Sequence, residues 1–459
     1  MSNSKIALSM IVLGTKDDYK QLRRCLDSIA KWVNAIYVTI TGSREEIKET
    51  EEVCKEFKVN VSYNNPTWIV TKEAYKWLIN YLGYKPEVQV GDKLFLFDKA
   101  RNYNFSQIPK EYEWIFWIDT DDVLVDGENL WKLKEIGDQT NADGIALKYI
   151  YRATLDNEGK IKQVLLEHIK ERMVRNGVFQ WNGPIHENLV ALRPTTKTSL
   201  EDCKVLHITK PDHIQSSIDR NLKNLEYALY HTKGEDPRYI YFLAKGYLDK
   251  RTLEYTDKAF PLIQEFVWGN YQSTWPEERA QAFEYLCDIY RQRGQLNNAI
   301  KACILALDEE PRRKSIYLNV ALAYTDKQEW DKALFWIHLA DKVDDKATSL
   351  NVNPRDLKVM KLATIYTASL NKGKTYDAYD AALALLQLLP NDPAIKTSFD
   401  FISQQKDRRD IATVFSGLVN YLKSTGEQEK IWTLLGNVPN VAKEDPIIAQ
   451  IKREFVIQR

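Results

Sequence analysis

The stretch Trp-Ile-Phe-Trp-Ile-Asp-Thr-Asp-Asp, residues 114–122, decides the fold of the N-terminal half of the chain. Its five consecutive apolar or aromatic residues are typical of a short strand that is buried on both faces, as in a parallel sheet. Asp119, Asp121 and Asp122 follow at once, at the carboxyl end of that strand, where open α/β sheets bind their ligands. A turn beginning at Thr120 would let the three carboxylates converge.

Converging carboxylates repel one another unless a cation lies between them, and oxygen ligands suit Mg²⁺ or Mn²⁺. A second interpretation stays open from these residues alone, in which the strand has a polar exit with solvated acids. In that interpretation Asp122 is a helix cap and Arg101, on the preceding helix, is a surface cation.

The composition argues against several classes of protein. The 459 residues include 64 Lys and Arg and 64 Asp and Glu, so no net charge attracts the chain to nucleic acid or to an anionic membrane. A local basic patch would still permit a nucleic-acid partner. No apolar run approaches the ~20 residues of a membrane span, and the N-terminus does not resemble a signal peptide. We expect a cytoplasmic protein of roughly two to four domains.

The cysteines agree with that location. They are scattered, odd in number and without a Cys-x-x-Cys motif, so they fit neither a disulfide framework nor a zinc site and indicate a reducing cytosol. The five residues are Cys25, Cys54, Cys203, Cys287 and Cys303.

The N-terminal residues predict alternating strands and helices. Strands at 5–13, 35–40 and 59–63 alternate with helices at 17–32 and 45–57. This order predicts a parallel sheet with helices on both faces. The first turn lacks Gly-x-Gly-x-x-Gly and no Gly-x-x-x-x-Gly-Lys is present, so neither the usual dinucleotide fold nor a P-loop is indicated.

The pattern continues after an irregular, aromatic-rich stretch at 64–98. Further elements follow it: helices at 99–108 and 126–140, and strands at 144–151, 164–174 and 203–210.

From about Ile214 the pattern becomes wholly helical, and residues 278–312 and 313–346 repeat each other. Small residues match at an offset of 34 (333 − 299 and 340 − 306), which is the tetratricopeptide period: Ala299 with Ala333, and Ala306 with Ala340. Looser copies lie around 244–267 and 365–390.

We therefore predict three domains. An α/β domain spans 1–213, tetratricopeptide-like repeats span 214–399, and a helical cap that keeps such an array soluble spans 400–459.

Residues 5–230 resemble the family 2 glycosyltransferases, and more narrowly the branch in which tetratricopeptide repeats follow the catalytic domain, which includes peptide S-glycosyltransferases. The motifs that carry the resemblance occur in this order: Leu-Ser-Met-Ile-Val at 8–12, Ala-Arg-Asn at 100–102 before the 114–122 stretch, Trp-Asn-Gly-Pro-Ile-His-Glu at 181–187, and Val-Leu-His-Ile at 205–208. The resemblance implies a Rossmann-like GT-A domain with a mainly parallel sheet, followed by an all-α solenoid.

The resemblance also implies where a nucleotide-diphosphate sugar would bind. It would lie over the ends of the first strands, near Val12 and Thr41, with Arg101 approaching the nucleotide or diphosphate as a fixed cation. Mn²⁺ or Mg²⁺ would bridge the diphosphate to Asp121, and Asp119 would contact the ribose or the metal shell.

Four further residues receive roles from the resemblance. His207 would be a late metal or phosphate ligand, and Trp181 would stack on a sugar face. Glu187 would be the base that deprotonates the acceptor, while His186 either takes part in the chemistry or orients its neighbour.

Two positions depart from the family pattern. Ile40 stands where many relatives have an aspartate that reads uracil, and Gly14-Thr15 replaces the usual Asn-Glu. These departures leave the nucleotide base open, with UDP favoured by its frequency in the family.

The leading hypothesis is thus a metal-dependent inverting glycosyltransferase that acts on a hydroxyl or thiol of a protein, a peptide or another acceptor. A scaffold with a degenerate sugar-nucleotide domain and a nucleotidyltransferase are the alternatives. A saccharide, a lipid-linked sugar or a modified nucleic-acid base also stays open as acceptor. The aromatic stretch within 64–98 is then either core or a platform for a sugar acceptor. The helical repeats further suggest a homodimer or other homo-oligomer.

Overall fold

The computed structural model describes most of the chain, in segments. They are residues 4–15, 18–42, 47–156, 159–208, 214–269, 271, 274–344, 354–404, 408–427, 429–439 and 442–456. The chain divides into two compact units, with the main boundary between Glu278 and Arg279. The domain boundaries at 213 and 399 stay predictions.

The strands of the described segments all lie in the first unit. They are β1 Ile6–Val12, β2 Ala35–Ile40, β3 Asn60–Tyr63, β4 Thr67–Ile69, β5 Lys93–Phe95, β6 Trp114–Trp117, β7 Asp122–Val125, β8 Gly144–Leu155, β9 Ile161–Arg175, β10 Phe179–Asn182, β11 Asn188–Ala191 and β12 Lys197–His207. Eight of them form one sheet in the order β3-β2-β1-β6-β9-β8-β12-β7, while β4 pairs with β5 and β10 pairs with β11.

The helices of the first unit precede, separate and follow these strands. They are α1 Asp18–Ile29, α2 Lys48–Glu56, α3 Lys72–Leu82, α4 Phe97–Ser106, α5 Leu130–Gln139, α6 Ile214–His231, α7 Pro237–Asp249 and α8 Leu253–Trp268, with short 3-10 helices at Ala30–Trp32 and Gly127–Asn129.

The large sheet is mixed. Strands β3, β2, β1 and β6 are parallel neighbours, as the sequence predicts. β9 runs antiparallel to both β6 and β8, and β12 is parallel to β8 but antiparallel to β7. The antiparallel pairs involve β9 and β7, for which the sequence indicated no direction.

Both faces of the sheet are buried because successive side chains of β1 point to opposite sides. Ile6, Leu8 and Met10 share one core with apolar residues of α1, α2 and α5. Ala7 lies in the other core, with Ile115 of β6 and residues next to α4. Because β3, β2, β1 and β6 are parallel, their carboxyl ends lie at the same edge of the sheet.

The stretch 64–98 is more regular than predicted, because it contains α3 and the β4–β5 pair. The side chain of Thr71 caps α3 by accepting a hydrogen bond from the backbone N–H of Ala74 at 3.1 Å. The prediction of an irregular segment is wrong here, since Ala74, Leu78 and Leu82 are buried at a helical spacing.

The aromatic residues of this stretch serve packing. Trp68 stacks on His231 of α6 with ring centroids 4.0 Å apart, and the Tyr227 hydroxyl donates to the Ile69 carbonyl at 2.8 Å. This favours the interpretation of 64–98 as core over that of an acceptor platform.

Glu226 of α6 is fully buried and forms hydrogen bonds with the backbone of the stretch 64–98. Its carboxylate accepts hydrogen bonds from the backbone N–H groups of Glu87 and Val88, each at 2.9 Å, and from the Tyr247 hydroxyl at 2.7 Å. Among the described residues, no Lys or Arg forms an ion pair with it. Hydrogen bonds from neutral groups therefore hold the Glu226 carboxyl group among the described residues.

The helices from α9 onward follow one another along the chain without intervening strands among the described residues. They are α9 Pro276–Gln292, α10 Leu296–Glu309, α11 Lys314–Asp326, α12 Trp330–Lys342, α13 Pro354–Asn371, α14 Thr375–Leu388, α15 Pro393–Ser403, α16 Arg408–Ser424, α17 Glu429–Gly436 and α18 Pro446–Val456.

The repeat pattern found in the sequence corresponds to pairs of these helices. Ala299, Ala306, Ala333 and Ala340 are all buried, so small residues at matching positions allow the paired helices to pack closely. The looser copies coincide with the α7–α8 and α13–α14 pairs. A helical repeat region of the tetratricopeptide type therefore follows the mixed-sheet region.

The last helices share a core with α14 and α15. Phe399, Phe415, Ile431 and Ile448 are buried in it. The segment after residue 400 is thus a packed part of the second unit.

The cysteines depart from the prediction in one place. Cys287 of α9 and Cys303 of α10 form a disulfide, while Cys25, Cys54 and Cys203 are buried thiols. The prediction of no disulfide is wrong for this pair because the helix pairing brings together two residues that are 16 positions apart. No helix among the described residues is both long and apolar enough to cross a membrane.

Candidate functional site

The acids predicted to converge lie where β6 ends. The backbone N–H of Asp122 donates to the carbonyl of Asp119 at 3.1 Å, which closes a tight turn through Thr120 and Asp121. Asp122 then begins β7, opposite His207 of β12. The predicted turn is confirmed, and it presents the three carboxylates at the edge where the parallel strands end.

Arg101 connects the end of β6 to the turn before β11. Its Nη2 donates to Asp119 Oδ1 and its Nε donates to Glu187 Oε1, both at 2.7 Å. The guanidinium lies between two indole rings, 5.2 Å from the centroid of Trp117 and 4.9 Å from that of Trp181. We call Arg101, Asp119 and Glu187 the outer cluster.

The Ala-Arg-Asn motif explains how α4 positions this arginine. Ala100 is completely buried, which lets α4 pack closely. Asn102 forms two hydrogen bonds with the backbone of Trp181, from its Nδ2 to the carbonyl and from the N–H to its Oδ1, each at 2.8 Å. Arg101, between them, is thereby held toward the acids and is not a surface cation.

The arginines control the protonation of Asp119. Burial would raise the pKa of this carboxyl, but the positive charges of Arg101 and Arg172 outweigh that effect and hold its pKa well below the ordinary value. Asp119 is therefore ionised at neutral pH.

A second set of charges lies deeper, around Asp122. Its Oδ2 accepts from Arg172 Nη2 at 2.9 Å, and its Oδ1 accepts from the Tyr149 hydroxyl and from His207 Nδ1, both at 3.0 Å. The side chains of Asp122 and Arg172 are completely buried. We call these four residues the inner cluster. The interpretation of Asp122 as a helix cap is wrong, because it begins a strand and pairs with an arginine.

Asp119 bridges the two clusters. Its Oδ2 lies 3.7 Å from Arg172 Nη1, while its Oδ1 binds Arg101. A shift of either arginine would therefore change the contacts of the other, because both arginines contact the Asp119 carboxylate.

Asp121 and His207 form the part of the site that suits a cation. Ligand atoms of Asp121, Asp122 and His207 all lie within 4.8 Å of one another. Burial, opposed by His207 and reinforced by Asp119 and Asp122, raises the pKa of Asp121 to about 6. Crowded carboxylates of this kind are stabilised by a divalent cation, so these donors fit Mn²⁺ or Mg²⁺.

Among these three residues, Asp122 has a different role from Asp121 and His207. Burial lowers the pKa of His207, but the hydrogen bond to Asp122 and the charge of Asp121 together raise it above the ordinary value. A carboxylate that accepts from one imidazole nitrogen fixes the orientation of a metal-binding histidine. Asp122 therefore orients His207, and Asp121 and His207 remain as the candidate metal ligands.

The turn between β10 and β11 aims Glu187 and His186 in different directions. Gly183 has a φ of 103°, and a Cβ there would lie 3.1 Å from the Tyr239 hydroxyl. His186 has a φ of 51°, which is unusual for a residue other than glycine. The Glu187 side chain points to Arg101 and is 12% exposed.

His186 lies outside both clusters. Its ring stacks on Phe242 of α7 with centroids 4.3 Å apart and 15° between the planes. Desolvation, helped by the charges of Lys245 and Arg238, lowers its pKa, although the residue as a whole is exposed. His186 is thus neutral at physiological pH, and the structure does not bring it to the acids.

Three other predicted residues are almost fully buried. Thr41 Oγ1 donates to the Val12 carbonyl at 3.1 Å, so these residues join the ends of β1 and β2 to each other. Trp181 is 3% exposed and packs edge-on against Trp117. Their predicted contacts with the donor stay predictions.

Sequence reasoning missed Arg172 and Tyr149, which complete the inner cluster, and Lys170, which lies beside them. Lys170 and Arg172 are two apart on one predicted strand, which suggests a shared face. The β-bulge at Arg172 interrupts that alternation, so the spacing alone did not identify them. Two basic residues aimed at a buried aromatic face indicate a site for anions or acids.

No protein-family model matches the sequence, and neither does any curated protein. Three solved structures with helical repeats are similar to it: the OM64 TPR domain of Arabidopsis, PilF of Pseudomonas aeruginosa and a thermophilic TPR protein of Thermus thermophilus. Their sequence identities are 15%, 15% and 19%; they cover 28%, 42% and 41% of this chain, and 99%, 77% and 92% of their own. The TM-scores of 0.25, 0.32 and 0.29 are too low to carry an argument.

Proposed function

We propose that this chain is a metal-dependent inverting glycosyltransferase. It would move a sugar from a nucleotide-diphosphate donor, with UDP favoured, to an acceptor hydroxyl or thiol. One observation carries the proposal. Arg101, Asp119 and Glu187 form a continuous hydrogen-bonded chain, and this chain lies beside the Asp121–His207 pair at the end of β6.

Glu187 is the base in this proposal. Its carboxylate would take the proton from the acceptor oxygen or sulfur, which then attacks the anomeric carbon on the side opposite the departing nucleotide. In the described state Glu187 accepts a hydrogen bond from Arg101. A donor phosphate would compete for that guanidinium, so donor binding would release Glu187 for the acceptor.

Asp121 and His207 would hold the divalent ion, with Asp122 orienting the imidazole. When bound, the ion supplies positive charge that stabilises the departing diphosphate. Asp119 would keep Arg101 at the site, and the two tryptophans would exclude water from the guanidinium. Positioning and charge stabilisation then supply most of the rate enhancement.

The GT-A fold is part of the proposal. Its support is the run of four parallel strands, with the acids at the end of the fourth in sheet order. Ligands of open α/β sheets bind at that edge.

The test is incubation of the full chain with UDP-, GDP- and TDP-sugars in the presence of Mn²⁺, with and without EDTA. We expect metal-dependent binding and slow hydrolysis of one donor, with release of a nucleoside diphosphate. Asp121→Ala should lose both, while Asp202→Ala, an exposed acid of β12, should retain them. Release of pyrophosphate instead would favour the nucleotidyltransferase, and no binding of any donor would refute the proposal.

A second candidate function is a non-catalytic scaffold. The observation that favours it is the closed state of Glu187, whose carboxylate is engaged by Arg101 and only 12% exposed. Tight binding of a protein partner without metal-dependent nucleotide binding would decide for the scaffold. The acceptor class and a homo-oligomeric state stay open in either case.

A further inference from the structure

Lys170 of β9 has no role in the function proposed above, yet its ammonium lies inside the site. Its Nζ is 4.9 Å from the ring centroid of Trp117 and 5.6 Å from that of Tyr149. Those two rings also flank Arg172, whose guanidinium carbon lies 4.0 Å and 4.4 Å from the same centroids. Lys170 and Arg172 therefore occupy one aromatic cleft.

Lys170 differs from the neighbouring cations because it has no acidic partner. Arg101 binds Asp119 and Glu187, and Arg172 binds Asp122. Among the described residues no carboxylate forms an ion pair with Lys170, and its contacts are with aromatic faces. Aromatic faces hold a cation in place without neutralising it.

An irregularity in β9 fixes this arrangement. Ile145 and Ala146 of β8 pair with Met173 and Glu171, so Arg172 is an extra residue in the β9 strand. Such a bulge redirects side chains and is common beside functional sites. Two further donors of Arg172, Nε and Nη1, are buried without a hydrogen-bond partner among the described residues. The aromatic cleft therefore contains N–H donors of Arg172 that form no hydrogen bond with its carboxylates.

Charged groups on several elements surround Lys170 and affect its pKa. Desolvation and the charge of Arg172 lower its pKa to about 8, while Asp119 and Glu187 raise it and Arg101 lowers it further. Tyr149 faces it from β8, and His168 and His186 are also influenced by its charge.

We propose that Lys170 binds the diphosphate of the sugar donor and neutralises negative charge on it as the sugar departs. The inference rests on the proposed function and adds a residue to it. An ammonium is a compact charge that suits phosphate oxygens, and an unpaired one is ready to accept an anion. A phosphate there would place its charge between Lys170 and the metal ligands, where charge develops during transfer.

The experiment measures dissociation constants of the full chain by calorimetry. The probes are Mg²⁺-pyrophosphate, which has no base, and whichever UDP-, GDP- or TDP-sugar the wild type binds. The variants are Lys170→Met and Lys170→Arg. Lys148→Met is the matched control, because Lys148 alternates with Tyr149 onto the other face of the same sheet and pairs with Glu201.

We expect Lys170→Met to weaken both probes by about 10- to 100-fold, the range for loss of one charge-assisted contact. Lys148→Met should stay within about twofold of the wild type, as expected for a surface ion pair. Circular dichroism of each variant identifies loss of fold.

The pH profile gives a readout that a purely structural lysine would not change. The diphosphate of a nucleotide-diphosphate sugar keeps a constant charge between pH 7 and 9, because it is already fully ionised, and Mg²⁺ alone serves as the metal at each pH. Wild-type affinity should therefore fall as Lys170 loses its proton near pH 8, and Lys170→Arg should abolish that fall. This comparison stays available if Lys170→Met does not fold.

The failures are distinguishable. A wild type that binds both probes, together with a Lys170→Met variant that binds them equally well, would refute the role of Lys170 and leave the proposed function intact. Identical pH profiles of the wild type and Lys170→Arg would refute it as well. A wild type that binds neither probe would refute the proposed function, and this inference with it.

Discussion

The inner and outer clusters contain the same kinds of groups in different surroundings. In the inner cluster Asp122 and Arg172 are both completely buried. In the outer cluster the side chains of Arg101, Asp119 and Glu187 keep between 10% and 28% of their exposure. A sealed ion pair cannot exchange partners without exposing a charge to an apolar environment, whereas a partly open one exchanges readily. The Asp122–Arg172 pair of the inner cluster should thus control stability, and the outer cluster should control activity.

The largest expected effect is on stability. Arg172→Met leaves the buried Asp122 carboxylate without its cation, which costs about 3–5 kcal/mol. Urea unfolding followed by tryptophan fluorescence would measure the change, because Trp114 and Trp117 lie in the same sheet. The double variant Arg172→Met/Asp122→Asn should recover part of the loss. A single variant as stable as the wild type would contradict the division into two clusters.

The second-largest expected effect is the loss of metal-dependent donor binding. Asp121→Ala removes one of the proposed metal ligands and should weaken donor binding in Mn²⁺ by more than about 100-fold, since even supporting residues of metal sites contribute 10- to 100-fold. Its stability without metal should be unchanged or higher, because its pKa is raised by burial beside two other acids. Titration of Mn²⁺-dependent donor binding and thermal unfolding would measure the two effects. An unchanged affinity in Mn²⁺ would remove Asp121 from the metal site.

Glu187→Gln should reduce transfer by about 100-fold, the scale of a general base, with donor binding retained. The residual rate should rise with pH, because the acceptor then ionises without help. His186→Ala is the control, since His186 stacks on Phe242 away from the acids, and it should keep measurable turnover. An inactive His186→Ala beside an active Glu187→Gln would reverse the assignment.

The smallest expected effects are those of a substitution at Asp119, which contacts both clusters. Asp119→Asn weakens contacts with both Arg101 and Arg172, so it should reduce turnover by about tenfold and stability by about 1 kcal/mol. Steady-state kinetics and urea unfolding of one preparation would measure both. A change in only one of the two quantities would place Asp119 wholly within one cluster.

The acids could be predicted from the sequence because an apolar run followed at once by carboxylates has few structural explanations. Arg101 and Asn102 were found through the Ala-Arg-Asn motif of the resemblance, although their partners Asp119, Glu187 and Trp181 lie far away in the sequence. Arg172 and Tyr149 could not be predicted in the same way. They come from the β8–β9 hairpin, where a bulge decides which side chain faces the site, and residue spacing does not encode that register.

The helical part shows a similar division. Alanines at a fixed offset predicted the paired helices, because close packing needs small residues at regular positions. The attachment of α6 to 64–98 was not predicted, since it depends on Glu226 meeting the backbone N–H groups of Glu87 and Val88. Backbone donors carry no signature in the sequence.

Because of that attachment, folding of the chain is coupled to protonation of the Glu226 carboxyl group. Burial raises the pKa of Glu226 to about 7, although the backbone and Tyr247 hydrogen bonds oppose it. In the unfolded chain the group has its ordinary pKa of 4.5, so near neutral pH folding takes up part of a proton from the buffer. Its contribution to stability is fully present below pH 4.5 and is lost as pH rises through 7, a difference of roughly 3 kcal/mol. The measured heat of unfolding should accordingly depend on the ionisation enthalpy of the buffer chosen.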